Sequence, residues 1–146
     1  MPFYTKKNSL LIFMGLVFIT LTVSMALAAS PLQKNLTGKW TGIVTDDKDG
    51  DIAVDLTIKP DTDSQSSYIY SLHYGTPKSC RLKTEEQSVD DNIIVLKFKG
   101  ASDLKYCMLL FKDNATLTIT VKKDNKLNLL IESRSGFKQT TTLKKK

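Results

Sequence analysis

Few residues in this chain have side chains suited to catalysis. His73 is the only histidine, so a Ser-His-Asp or Cys-His arrangement would have to be built around it. It lies on the polar side of the alternating segment YIYSLHY, and the chain contains no G-x-S-x-G elbow. The paired acids, such as Glu85-Glu86 and Asp90-Asp91, lie in or beside turn signals, where local hydrogen bonding favours Asp. We therefore predict a protein that is not an enzyme and has no catalytic residues.

The two cysteines, Cys80 and Cys107, point to a structural role. An even number of cysteines in an exported chain predicts one disulfide, with a pair of buried thiols as the alternative. A disulfide would leave no thiol for nucleophilic chemistry. One histidine and two oxidised cysteines also cannot supply the three or four ligands of a zinc site.

The acidic segment TDDKDGD suggests calcium, because Asp47, Asp49 and Asp51 alternate around Gly50. Aligning Gly50 with the invariant glycine of an EF-hand places Leu56 at the last ligand position, where a glutamate is needed. The EF-hand interpretation therefore fails, and a weak site of three carboxylates is the alternative that remains. We predict no metal and no cofactor.

The first residues resemble an export signal. Lys6 and Lys7 precede a long apolar run, which ends in the small residues of Ala26-Leu27-Ala28. This pattern predicts a signal peptide over residues 1–28 and a secreted or periplasmic protein. An uncleaved membrane anchor is the alternative, since the run approaches the roughly 20 residues that span a bilayer. The Thr and Ser residues in its second half and its cleavage-like end favour cleavage, and hence no stable membrane insertion afterwards.

The remaining chain is long enough for one domain and too short for two. We predict a lead-in over residues 29–37, a single β domain over 38–143 and a solvated basic tail over 144–146. The formal net charge of the whole chain is +6, and it falls to +4 without Lys6 and Lys7. Three of the remaining positive charges lie in the tail. A nearly neutral body argues against nucleic acid as a partner, because phosphate binding needs a clustered basic face.

Apolar and polar residues alternate in most segments after residue 38, as in half-buried β-strands. Examples are DIAVDLTIK, IIVLKFK, TLTITV and KLNLLIES, and the two cysteine-bearing segments SCRLKTE and LKYCMLLFK are also predicted as strands. No segment is convincingly helical. Turn signals, the strongest being Asp49-Gly50, separate the segments. The pattern predicts an all-β fold, an antiparallel meander of eight or nine strands that closes into a barrel, with a β-sandwich as the alternative.

The segment LTGKWTG, just after the lead-in, resembles the Gly-x-Trp motif that opens the first strand of lipocalins and avidins. The resemblance implies a calycin barrel in which Trp40 plugs the closed end, stacked on an arginine from a late strand, for which Arg134 is the candidate. Trp40 is the chain's only tryptophan, so biotin binding is not implied. The alternative is a core aromatic residue, with Gly38 and Gly42 allowing close packing or a bulge.

Binding is the activity that such a domain can offer. The first hypothesis is an exported protein that holds a small apolar ligand inside the barrel. The second is an exported protein-binding module, such as an enzyme inhibitor or a factor acting on a host or envelope protein, for which the run Tyr68, Tyr70 and Tyr74 would supply interface residues. The predicted ligand-binding residues of the first hypothesis are Trp40, Tyr68, Tyr70, Leu72, Leu117 and Ile119.

Overall fold

The computed structural model describes residues 30–64, 67–102 and 105–146, and the predicted signal peptide lies outside them. The elements, in chain order, are α1 (Pro31–Leu36), β1 (Gly38–Asp46), β2 (Gly50–Pro60), β3 (Tyr68–Tyr74), β4 (Cys80–Asp90), β5 (Ile93–Ala101), α2 (Lys105–Lys112), β6 (Thr116–Lys122), β7 (Lys126–Glu132) and β8 (Lys138–Lys145). Neither α1 nor α2 has the length and apolar character of a bilayer-spanning helix.

The eight strands form one closed antiparallel barrel, which confirms the predicted fold class. Each strand pairs with the next in the chain, and β8 closes the barrel by pairing with β1 at Trp40↔Lys145 and Thr41↔Lys144. Lys144 and Lys145 are thus part of a strand, and the prediction of a basic tail over residues 144–146 is wrong. The mainly polar β8 is tolerated because only alternate residues face the interior.

The alternation of apolar and polar residues in the sequence corresponds to alternating burial along the strands. In β2, the residues Ile52, Val54, Leu56 and Ile58 are all buried, while those between them are exposed or half-buried. The other strands contribute inward residues in the same way. Burying one apolar face per strand inside a closed barrel removes it from water and leaves no unpaired sheet edge.

Two helices form where the sequence analysis predicted an irregular lead-in and a strand. The segment LKYCMLLFK was predicted as a strand but contains α2. The prediction was wrong because a short apolar run fits both the period of two residues of a strand and the period of 3.6 residues of a helix. In α2, Cys107 and Leu110, three residues apart, point into the barrel, and Leu109 lies outside. In the predicted lead-in, Ser30 caps α1 in a capping box with Gln33. The Ser-Pro-x-Gln spacing was a readable helix signal.

Each helix covers one end of the barrel. At the α1 end, where β1 begins and β8 ends, the indole Nε1 of Trp40 donates to the carbonyl of Leu36 at 2.8 Å. At the α2 end, where β4 and β6 begin, the disulfide Cys80–Cys107 joins α2 to β4 with 6.0 Å between the Cα atoms. This confirms the predicted disulfide. Its strand-to-strand placement is corrected, since Cys107 lies on a helix.

We expect Gly42→Ala to destabilise the barrel. A Cβ at this position would lie 2.6 Å from both the Leu143 Cδ2 atom and the backbone oxygen of Thr142. Because the backbone of β8 cannot move without disturbing the closure, the variant should lose about 1–3 kcal/mol of unfolding free energy. Chemical denaturation measures the loss. Gly100→Ala is the matched control, since a Cβ there meets nothing within 4 Å; equal effects of the two substitutions would refute the close approach as the cause.

Removing the disulfide should also destabilise the protein. The bridge spans 27 residues of sequence, and loop closure of that length stabilises the folded state by about 3.5 kcal/mol in the chain-entropy model. The double variant Cys80→Ala/Cys107→Ala should lose most of this in a denaturant titration. Reductant should lower the stability of the native sequence by a similar amount and leave the double variant unchanged. A native sequence indifferent to reductant would contradict the expectation.

Candidate functional site

The predicted ligand-binding residues come together inside the barrel, where they form a packed core. Trp40, Tyr70, Leu72, Leu117 and Ile119 are buried, and Tyr68 is half-buried near the α1 end. A gap large enough for a water molecule would leave part of its lining accessible. The following inward residues have no accessible surface at all: Leu56, Tyr70, Leu72, Tyr74, Leu82, Ile94, Leu96, Leu117, Ile119, Leu127 and Leu143. The middle of the barrel is therefore filled by side chains.

The Tyr70 hydroxyl forms hydrogen bonds with residues of α1 and β4. Its hydroxyl accepts a hydrogen bond from the Gln33 amide at 3.0 Å and donates to the Glu86 carboxylate at 3.3 Å. The Gln33 amide also donates to Glu86. Burial, more than the nearby Glu86 carboxylate, raises the pKa of Tyr70 well above its usual value, so its phenol stays protonated and able to donate. These bonds fasten α1 to the barrel.

The structure does not bring Trp40 and Arg134 together. Arg134 lies in the turn between β7 and β8, at the α2 end, whereas Trp40 lies at the α1 end. The cation over the indole is Lys145, whose Nζ atom lies 5.4 Å from the ring centroid and donates to the carbonyl of Asn35. The expected Trp–Arg pair is therefore corrected to a Trp–Lys pair, because the pairing of β8 with β1 places Lys145 opposite Trp40.

The structure also places the acidic turn, His73 and the tyrosine run, all singled out in the sequence. The carboxylates of Asp46 and Asp49 lie 3.6 and 2.5 Å from the Nζ atom of Lys78, so an ammonium group already occupies the acidic turn. His73 faces outward on β3, opposite Asp55 on β2. The structure shows no hydrogen bond between these two among the described residues. Tyr70 and Tyr74 point inward and are fully buried, so they form no surface patch.

A groove with an apolar lining lies at the α2 end. It has a volume of about 480 Å³ and runs between α2 and the turn that joins β7 to β8. Its apolar lining comes from Tyr106, Leu109 and Leu110 of α2 and from Phe137, and polar residues form its rim. Leu109 is 57% exposed. The sequence reasoning missed this groove because α2 was predicted as a strand.

A hydrogen-bonded network beneath the groove fixes the position of α2. The Tyr74 hydroxyl donates to the Gln139 side-chain oxygen at 2.8 Å, and the Gln139 amide donates to the Tyr106 hydroxyl at 3.3 Å. The two tyrosine rings meet edge to face, with 5.0 Å between centroids. Burial raises the pKa of Tyr106 and of Tyr74, which keeps both phenols protonated. Together with the disulfide, this network makes α2 a rigid wall.

Asp113 holds the opposite wall of the groove, the turn between β7 and β8, in position. Its carboxylate accepts a hydrogen bond from the Ser135 backbone N–H at 3.1 Å and another from the Ser135 hydroxyl. Its backbone carbonyl accepts from the Arg134 N–H at 3.2 Å. Hydrogen bonds from the hydroxyls of Ser133 and Ser135 lower the pKa of Asp113. The turn between β7 and β8 is therefore tied to the end of α2.

A second groove of about 400 Å³ lies on the other side of the ridge formed by Tyr106 and Leu109. Its remaining lining includes Lys48, Pro77 and Lys78. The Lys78 Nζ atom lies 4.5 Å from the centroid of the Tyr106 ring, and the hydrogen bond to Asp49 raises the pKa of Lys78. The second groove is thus more charged, and the first offers the better apolar site.

The chain matches no protein-family model and no curated protein. Among solved structures it is similar to a redesigned β-barrel, mFAP1, whose structure was determined bound to DFHBI. The two share 16% sequence identity over 80% of this chain and 100% of that one, with a TM-score of 0.51. At this identity the similarity shows the barrel fold.

We expect Asp113→Asn to loosen the wall of the groove in a pH-dependent way. The lowered pKa means that the Asp113 carboxylate stabilises the folded state above the unfolded value of 3.8, and that this contribution is lost as the pH falls through the lower folded value. The native sequence should therefore melt at a higher temperature than the variant at neutral pH, and the difference should shrink in acid. Asp91→Asn, in the exposed turn before β5, should leave the melting temperature unchanged. A difference between native and Asp113→Asn that is constant with pH would contradict this account.

Proposed function

We propose that this protein is exported, has no catalytic activity, and binds a small apolar ligand in the groove between α2 and the β7–β8 turn. The observation that carries the proposal is the groove itself, whose volume of about 480 Å³ lies within the roughly 300–1,000 Å³ of small-molecule sites. Its walls are held by a disulfide and by side-chain hydrogen bonds, so little ordering is needed on binding.

Several features support this position over the interior of the barrel. The interior residues that would line a ligand cavity, such as Leu72 and Leu117, have no accessible surface. A ligand there would have to displace packed side chains. The similarity to a barrel solved with DFHBI supports small-ligand binding as something this fold can do.

The lining indicates the kind of ligand. Tyr106 and Phe137 offer aromatic surface and Leu109 offers aliphatic surface, while Ser133 and Ser135 lie at the rim. An apolar body that carries one polar group would bury the first part against the side chains and keep the second near the hydroxyls. Lys112 and Asp113 both line the groove. Because the Asp113 carboxylate already accepts hydrogen bonds from Ser135, Lys112 is the charged group left to pair with a negatively charged polar group of a ligand.

Export and the absence of catalysis rest on other observations. The apolar N-terminal run with its small-residue end is typical of a signal peptide, and a disulfide agrees with an oxidising compartment. His73, the only histidine, faces outward. The structure gives it no hydrogen bond to a nucleophilic side chain within residues 30–64, 67–102 and 105–146.

The test is a titration with 1-anilinonaphthalene-8-sulfonate, an apolar dye with one anionic group. We expect saturable binding at one site. Leu109→Glu, which places a carboxylate in the groove, should weaken this binding by about tenfold, equivalent to about 1.4 kcal/mol. Native mass spectrometry of the exported protein would also show whether an apolar molecule co-purifies.

Ile43→Glu is the matched control. Ile43 lies on the outside of β1 and is 59% exposed, nearly the same as Leu109, so the variant adds the same charge at a similarly exposed site. It should bind the dye like the native sequence. Equal affinity of all three proteins would refute the groove as the site.

A protein partner is the second candidate function, and the exposed position of Leu109 favours it. A leucine on a ridge between two grooves could enter a pocket of another protein. In that case Leu109→Glu would abolish a stoichiometric complex with the partner, and neither variant would affect the dye.

A further inference from the structure

One outer face of the barrel carries a cluster of positive charges, which the nearly neutral net charge expected for the body did not predict. We define the basic face as the outward residues of β1 to β4 around a depression of about 250 Å³. The depression is lined by Lys39, Asp55, Thr57, Lys59, Ser71, His73 and Arg81, and the basic face includes these residues together with Lys83.

The strand register arranges most of these residues in two adjacent rows, and Lys59 lies in the next row, opposite Ile69. The first row crosses three strands as Asp55↔His73↔Arg81. The second row crosses four strands as Lys39↔Thr57↔Ser71↔Lys83. With about 4.8 Å between strands, the second row spans about 14 Å between its terminal lysines.

Most of the cations on this face have no acidic partner. Lys39 pairs with Asp55 at 2.8 Å. Among the described residues, the structure gives no ion pair to Lys59, Arg81 or Lys83. Elsewhere in the described residues, Lys78 pairs with Asp46 and Asp49, and Lys138 pairs with Glu132.

The polar groups in the depression are also available to bind a ligand. The side chains of Thr57, Ser71 and His73 are half-buried. No hydrogen bond to another described residue involves them. Hydroxyl and imidazole groups between unpaired cations are suited to donate to the oxygens of an anion.

The basic face carries an excess of positive charge. The backbone N–H of Lys146 bonds to the carbonyl of Lys39, which brings the last lysine beside the face. With Lys146, the face has five cations and one carboxylate. Its net charge of +4 equals that of the chain without Lys6 and Lys7, so the other charges balance one another.

From this arrangement we propose that the basic face binds the phosphate headgroups of an anionic phospholipid surface. The cations are distributed over a row that spans about 14 Å and over the rows beside it, so the face can contact several phosphates at once. The charges form a patch over three rows of residues, and not a single track along which a polyanion would lie. Each Lys or Arg near an anionic membrane surface contributes about 1 kcal/mol of attraction, so several cations on one face add together.

The experiment measures co-sedimentation of the protein with vesicles of phosphatidylcholine alone and with added phosphatidylglycerol. We expect binding only when phosphatidylglycerol is present, with affinity that falls as salt is added. The double variant Arg81→Gln/Lys83→Gln should bind roughly thirtyfold more weakly, since each cation near an anionic surface contributes roughly a factor of five.

The control is Lys122→Gln/Lys126→Gln. These two exposed lysines lie opposite one another beside the β6–β7 turn, outside the basic face, and the control removes the same total charge. It should weaken vesicle binding by less than about threefold. Circular dichroism should show that both double variants keep the fold.

Four outcomes would overturn the proposal. They are absence of binding to phosphatidylglycerol vesicles, equal binding to phosphatidylcholine, equal weakening by the two double variants, and displacement from vesicles by inorganic phosphate at low concentration. Dextran sulfate that binds more tightly than vesicles, through Arg81 and Lys83, would assign the face to a sulfated glycan instead. None of these results bears on the groove, because Leu109 and Phe137 lie at the α2 end.

Discussion

The closure of β8 on β1 is the interaction on which the rest of the structure depends. Without it, the strands would form an open sheet with one apolar face in water and two unpaired edges. Gly42 lets β1 and β8 approach each other closely, because it has no Cβ to clash with the carbonyl of Thr142 or the side chain of Leu143. The hydroxyl of Thr141 adds a hydrogen bond to the carbonyl of Ile43. A strand of mostly polar residues can close the barrel because backbone hydrogen bonds and a few inward contacts suffice.

Closure then determines where binding can occur. The inward residues of eight strands meet at the barrel axis and fill the space, while α1 and α2 cover the two ends. Trp40, Leu36 and the Gln33–Tyr70–Glu86 hydrogen bonds complete the α1 end. At the α2 end, the disulfide and the tyrosine pair hold α2 across the opening. The helix cannot bury all of its apolar surface there, and the exposed remainder forms the groove.

The two proposed surfaces differ in chemistry and position. The groove at the α2 end is apolar with a polar rim, whereas the basic face lies on the outside of β1 to β4 and holds unpaired cations around hydroxyl groups. Because they share no residue, the protein could occupy both at once. A barrel that docks on an anionic surface by its side would leave the groove at its end open to ligand.

The sequence by itself determined the strands and the disulfide. Alternation with a period of two is a local property, so it identified the inward residues of β2, β3, β6 and β7. Two cysteines allow only one intramolecular pairing. The sequence did not determine α2, whose short apolar run fits two periods, nor the extent of β8, whose last lysines resemble a solvated tail.

Only the tertiary structure decided what the interior contains and which distant residues meet. Alternation tells which side chains share a face and says nothing of the volume between faces, so Tyr70 and Leu72 were equally consistent with a cavity or a core. The partner of Trp40 depended on the register between β1 and β8, which selects Lys145 over Arg134. The groove and the basic face both arise from residues distant in sequence, and only the closure of the barrel and the docking of α2 bring them together.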